Sequence, residues 1–464
     1  MTEPVALESI LSCFRGVIPA AFATCGPDGV PNITYMSIIQ YVDSERVALS
    51  RQFFNKTSRN LDANPASQAL VVDPDTAHQY TLDLEFLHTE TRGPTFDAVR
   101  RTLDAVGSQT GMSGVFRLRG VDIHRVVRCS AVGESSLPRP RQVERDTLAQ
   151  LDELTRRLSG CSDYDEATRA ALQALDDLFG FGHSILLVGG AAGPLFAVGG
   201  NGYAGSGAGA EVPVGEGLIG TAASTGQVVC VPHLGRSLVM QAAMRSGLEP
   251  SGDAPGKEIA LPGLEHPQSI AAVPLVAQGE IGGVLYLESE RPGVFGPHNE
   301  RLLRVLGRHL AAALRGFDVD THEGLPAGSP PAPAARVGEP RVGEPLRVSY
   351  YQADDSVFVG EEYVIKGVPG RILWKLLREH ATGGRTTFTN RELRLDESLG
   401  LPAGSENLEA RLLVLRKRLA GNAFGVELER VGRGRLALRS ARPLELVEVP
   451  TGGLMRVAHA PPAR

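Results

Sequence analysis

The chain has few cysteines. Cys13, Cys25, Cys129, Cys161 and Cys230 are odd in number among 464 residues, and none forms a Cys-x-x-Cys pair. A disulfide scaffold and a zinc finger are thereby excluded, and no metal site is expected. Tryptophan occurs once, at Trp374, and lysine supplies only five of the 47 basic residues, a skew of codon usage that carries no functional weight. Long apolar runs are also missing. The most apolar stretch, residues 185–198, is interrupted by Gly189, Gly190, Gly193 and Pro194 and falls short of the roughly 20 residues a membrane helix needs. The opening Met1-Thr2-Glu3-Pro4 has neither the basic nor the apolar segment of an export signal, so a cytoplasmic protein without membrane contact is expected.

At roughly 150 residues per domain, the length suggests about three domains. Hydrophobic residues at 42% and charged residues at 22% suit globular folding. Charge is unevenly spread. Residues 1–345 carry 28 basic against 39 acidic side chains, whereas residues 346–464 carry 19 against 14. A basic segment on an acidic body points to a nucleic-acid or other acidic partner, although a plain solvated surface accounts for charge alone equally well. The segment 325–345, LPAGSPPAPAARVGEPRVGEP, has nothing to bury and reads as a semi-rigid spacer that domain contacts should not cross. Its tandem RVGEP is a duplication in tolerant sequence. A second boundary near residues 135–142 separates strand-like runs from helical periodicity. The units are therefore 1–135, 142–318 and 346–450, with a linker at 319–345 and a flexible tail at 451–464.

The first unit is β-rich, with strands expected at 20–24, 33–41 and 46–50, a helical stretch from Thr95 and a strand again at 115–127. The order AAFATCGPDGVPNITYMSIIQYVD, then VALSRQFFNKTSRNLDANPASQALVV, resembles the pyridoxamine-phosphate-oxidase-like family of FMN-binding split barrels. Ser50, Lys56-Thr57, Asn60-Leu61 and Asn64-Pro65 carry the likeness most specifically. An FMN phosphate calls for cations with hydroxyl or amide donors, and Ser50, Arg51, Lys56, Thr57, Arg59 and Asn60 supply both. Without the resemblance, the same residues read as a polar loop capping a helix. The family implies a cofactor at a homodimer interface, with deazaflavin or haem as alternatives to FMN. The oxidases' Trp-Gly-rich signature is missing, which argues against pyridoxamine phosphate as substrate. His88 and His124 are conceivable ligands, but a lone histidine in a strand is more often structural.

In the second unit, Leu148, Leu151, Leu154 and Leu158 recur at helical spacing, and a second helix runs to Phe179. GEGLIGTAASTGQVVCVPHL and SIAAVPLVAQGEIGGVLYLESE, closed by the helical HNERLLRVLGRHLAAALRG, resemble a GAF domain. The resemblance implies an α/β module that holds a small molecule beneath its loops or serves as a dimerising spacer. Residues 236–268 suit a lid or an insertion equally. Cys230 and His233 allow thiol sensing or a metal, although a buried structural cysteine is the commoner reading.

After the linker come short strands, a helix at 370–381, a capping box at Thr389-Asn390-Arg391-Glu392, a third helix from near Ser405 to Gly421, and a hairpin tipped by Gly432-Arg433-Gly434. This order resembles the OmpR-type winged helix. On a helical wheel, Leu408, Leu412, Leu415 and Leu419 form one stripe and Asn407, Arg411, Val414 and Arg418 another. Asn407, Arg411, Val414 and Arg418 are the expected base-reading face, and Arg433 and Arg435 the expected grip on phosphate or minor groove of double-stranded DNA. The expected fold class is multidomain α+β: a split β-barrel, then a GAF α/β sensor domain, then a winged helix. The expected function is a transcriptional regulator sensing a small molecule or redox state; the alternative is a flavin-dependent oxidoreductase with accessory domains.

Overall fold

The computed structural model describes residues 4–14, 18–36, 38–51, 56–109, 118–133, 146–189, 193–205, 207–234, 261–319, 344–400, 408–420, 424–432, 434–450 and 455–459. The expected linker core, the boundary at 135–142, most of 236–268, and Ser405, Asn407, Gly421 and Arg433 lie outside these residues. No helix among the described residues is long and apolar enough to cross a membrane.

The first unit contains β1 (Ala20–Cys25), β2 (Pro31–Met36), β3 (Ile39–Tyr41), β4 (Arg46–Arg51), α1 (Lys56–Ala63), β5 (Ala66–Val72), β6 (Gln79–Glu90), α2 (Pro94–Gln109) and β7 (Gly120–Val132). Its sheet runs β2-β1-β5-β6-β7-β4-β3. The single strand expected at 33–41 is two strands: β2 pairs with β1, and after a break in pairing β3 pairs with β4 at the other end of the order. One stretch of chain thus serves both ends of the sheet and curls it into a barrel. β6 has no counterpart among the expected strands, and the expected 115–127 strand lies at Gly120–Val132.

The middle unit contains α3 (Thr147–Ser159), α4 (Tyr164–Phe179), β8 (His183–Val188), β9 (Leu195–Asn201), β10 (Glu211–Val212), α5 (Gly217–Thr225), β11 (Val229–Val231), β12 (Ser269–Ala277), β13 (Glu280–Ser289) and α6 (Pro297–Val319). Asp163 caps α4 by accepting from the Glu166 backbone N–H at 2.9 Å, and Gly180 ends it in the left-handed region at φ 70°. The sheet order is β10-β9-β8-β13-β12-β11. Gly283 is required where β13 meets β8, because a Cβ there would lie 2.2 Å from the Leu187 carbonyl oxygen. The sheet buries both faces. Ile185, Leu187, Leu195, Ala197 and Tyr286 pack with α5, while Leu186, Val188, Phe196 and Val198 pack with α3, α4 and α6.

The last unit contains β14 (Leu346–Tyr351), β15 (Ser356–Val359), β16 (Glu362–Ile365), α7 (Gly367–Gly383), β17 (Thr387–Thr389), α8 (Asn390–Leu395), α9 (Leu408–Ala420), β18 (Val426–Gly432), β19 (Arg435–Ser440), β20 (Leu444–Val449) and β21 (Met455–His459). Thr389 caps α8 through the Glu392 N–H, as the capping box requires. Sheets β16-β15-β14-β20-β21 and β17-β19-β18 flank the helices. β21 lies within the expected tail, paired to β20. The expectation that contacts stop at the linker is overturned: one continuous apolar core includes Leu154, Phe196 and Val198 of the middle unit and Trp374, Leu413 and Val414 of the last. Burying Phe196 and Val198 under α9 is what the linker composition could not reveal.

In the barrel core His124 is fully buried between Phe22 and Phe86, at ring distances of 5.7 and 5.4 Å. Nδ1 lies 3.2 Å from the Asp122 carbonyl, an acceptor, so Nδ1 carries the proton; Nε2 has no hydrogen-bond partner among the described residues. Burial pushes the imidazole pKa down from 6.5 to about 4. The unfolded chain therefore binds the proton first as pH falls: stability from this residue is complete above pH 6.5 and is lost toward pH 4, about 3 kcal/mol in all. His124→Leu should abolish that slope, read as the ratio of hydrogen-exchange rates of β7 amides in wild type and variant at matched pH.

Candidate functional site

Ser50 and Arg51 end β4, and Lys56 and Thr57 begin α1, so the fold places the expected phosphate residues at the two ends of the 52–55 connection. Their side chains have different fates. Ser50 is buried, its backbone N–H held by the Ile38 carbonyl at 3.0 Å. Arg51 donates through Nε to Asp122 at 3.0 Å, and Asp122 also accepts from Thr89 Oγ1 at 2.6 Å. Thr57 and Asn60 turn inward: Asn32 Nδ2 reaches Thr57 Oγ1 at 3.0 Å, and Asn60 Nδ2 reaches Thr24 Oγ1 at 3.2 Å. Lys56 and Arg59 are exposed. Arg51 is thus already committed to a carboxylate, and Thr57 and Asn60 lock α1 to β1 and β2. Thr24, Asn32, Thr89 and Asp122 belong to this constellation and were not legible, because their contacts join residues far apart in sequence. His88 is exposed beside Glu90 at 3.5 Å, and no cluster of metal-ligating side chains occurs among the described residues.

On the α5 side of the middle sheet, Glu288 is buried and accepts from Tyr203 and Tyr286 hydroxyls at 2.9 Å each and from the Leu264 N–H at 2.8 Å. This carboxylate ties the loops after β9 and before β12 to the sheet. Burial, with Glu288 beside them, pushes both tyrosine hydroxyls well above their ordinary pKa. His233 reaches across to the barrel, its Nε2 3.4 Å from Asp75. α2 of the barrel also packs on α5 and β11.

This unit matches a known family over residues 163–314. It is a GAF domain. No curated protein matches the chain. Among solved structures, an FMN-binding protein from Syntrophomonas wolfei subsp. wolfei is similar at 18% identity, covering 27% of this chain and 88% of that one with a TM-score of 0.23. The GAF domain of an Acinetobacter phosphoenolpyruvate-protein phosphotransferase is similar at 15% identity, covering 38% and 96% with a TM-score of 0.30. A free methionine-R-sulfoxide reductase from Neisseria meningitidis, in complex with its substrate, is similar at 18% identity, covering 39% and 96% with a TM-score of 0.28.

The last unit departs most from expectation. The leucine stripe of α9 is buried, but so are Ala410, Leu413 and Val414. α9 is covered on that further side by β9, α4 and α6 of the GAF domain. Val414, assigned to a base-reading face, is instead core. Arg418 donates to the Val364 and Tyr363 carbonyls at 2.9 and 3.0 Å and lies over the Phe424 ring at 5.9 Å. Burial lowers its pKa. Arg411 is half-buried, and Arg435 is exposed on the hairpin. Lys417, which sequence reasoning passed over, is drawn into the GAF domain, its Nζ 2.9 Å from the Val198 carbonyl.

Arg418→Ala should remove donors from two strand carbonyls and destabilise this unit by about 2–4 kcal/mol. Trp374, buried and stacked on Tyr350 at 5.0 Å, reports that unit alone by fluorescence during urea unfolding. Arg418→Lys should recover only part of the loss, since an ammonium lacks the planar fork.

Proposed function

We propose that the chain is a sensory regulator: a flavin-type barrel and a GAF domain receive the signal, and the C-terminal unit, read as a winged helix, delivers it to double-stranded DNA. The observation that carries this reading is the GAF domain clamped to both neighbours, through Asp75–His233 and α2 on one side and Lys417–Val198 on the other. A module so held can bias what flanks it. The DNA reading is supported by three helices ending in a hairpin and by Arg435 exposed on that hairpin. Arg411, Asn407 and Arg433 remain the residues assigned to DNA.

For the barrel, Lys56 and the start of α1 are assigned to the phosphate of FMN, with Ser50 beside them. A bound flavin would supply a group whose charge changes with redox state. We also assign the exposed apolar β2 to a homodimer contact, because Ile33 and Tyr35 are 71% and 77% exposed on a strand that only β1 pairs with among the described residues.

Purified full chain should carry or take up flavin, seen in its absorption spectrum and the mass of the released chromophore. Lys56→Ala should lower flavin affinity about tenfold with the fold intact, the cost of one charge-assisted contact. Selection from a random duplex pool should enrich one sequence; recovery of none, together with a colourless protein, would leave this reading without support.

A further inference from the structure

The C-terminal unit meets the GAF domain through opposite charges as well as apolar packing. Arg430 on β18 pairs with Asp163 at 2.8 Å. Lys417 on α9 lies 3.5 Å from Asp165, and Lys366, which precedes α7, pairs with Glu211 at 3.0 Å. Three cations from three separate elements of a basic unit thus sit on carboxylates of the α4 start and of β10. Leu413 of α9 and Arg430 line a small cavity with Tyr164 and Asp165. The side of α9 away from the leucine stripe, bearing Ala410, Leu413, Val414 and Lys417, is the side the GAF elements cover.

We propose that this contact is an autoinhibitory clasp, in which GAF carboxylates take the place of nucleic-acid phosphates on the C-terminal unit and the covered helix is withheld from the major groove. This rests on the DNA-binding reading above. A groove admits a helix only if one flank is open, and α9 has its leucine stripe against its own unit and the opposite flank against the GAF domain. DNA and the GAF domain therefore compete for the same helix and for Lys417 and Arg430. The Pro-rich sequence between Val319 and Leu346 is long enough for the two units to part without either unfolding.

The test uses the full chain with Asp163→Asn, Asp165→Asn and Glu211→Gln combined. Asparagine is as good an N-cap as aspartate, so α4 keeps its start while the charges go. The control carries Asp62→Asn, Asp152→Asn and Glu361→Gln, an equal charge change at exposed positions. Hydrogen exchange of α9 amides reads opening, and binding of a labelled random duplex pool at fixed salt reads output. The expected result is exchange at least tenfold faster and affinity at least tenfold higher in the triple variant, with the control unchanged from wild type. Wild type binding as tightly as the opened variant would overturn the clasp while leaving DNA binding standing. An opened variant that binds no duplex would remove the DNA reading, and the clasp with it. Unchanged exchange would show that these carboxylates do not hold the units together, which also overturns the proposal.

Discussion

The structure depends on a GAF sheet with more apolar surface than its own helices cover. Phe196 and Val198 project from β9 to the helical side, and the core that buries them continues through α9 to Trp374 and the sheet beyond. Fully burying a side chain of this size contributes about 1.5–3 kcal/mol, whereas an exposed ion pair contributes about 1 kcal/mol or less. Apolar area therefore supplies the adhesion. The pairs made by Arg430, Lys366 and Lys417 fix which surface is accepted and in what register. Lys417 is the exception, because burial lowers its pKa and an ammonium left there without Asp165 and the Val198 carbonyl would be costly.

Local chemistry was legible in the sequence. The capping box at Thr389, the helix that runs to Phe179 and the strands near residues 20–24 and 46–50 depend on neighbours a few positions away, and the structure places them as expected. What was not legible depends on distant chain. Arg51 reads as a free cation beside Lys56 until β4 pairs with β7 and brings Asp122 against it. Val414 and Arg418 look like an open face on a helical wheel, because a wheel cannot show that β9 and β16 approach from outside. The division of one expected strand into β2 and β3 likewise shows only in their partners, β1 for the one and β4 for the other.

The barrel and the C-terminal unit do not meet the same side of the GAF sheet. α2 rests on α5 and β11, above the core that contains Ile185, Leu187, Leu195 and Tyr286, while α9 rests on the other side. The sheet lies between them. Glu288, which ties two loops to that sheet, belongs to the barrel-facing side, so a change in the hydroxyls it binds would be felt there first.

β9 is an element common to the two sides, because alternate residues of a strand point to opposite faces. Leu195 and Ala197 belong to the core beneath α5, Phe196 and Val198 to the core shared with α9, and the Val198 carbonyl holds Lys417 at 2.9 Å. Close-packed cores transmit rather than absorb small displacements. A hydrogen bond of that length is lost when donor and acceptor separate by little more than half an ångström, to beyond about 3.5 Å. Leu195 and Ala197 are within three residues of the carbonyl that holds the C-terminal unit. The period-2 geometry of one strand thus places both cores and the Lys417 acceptor on the same four residues.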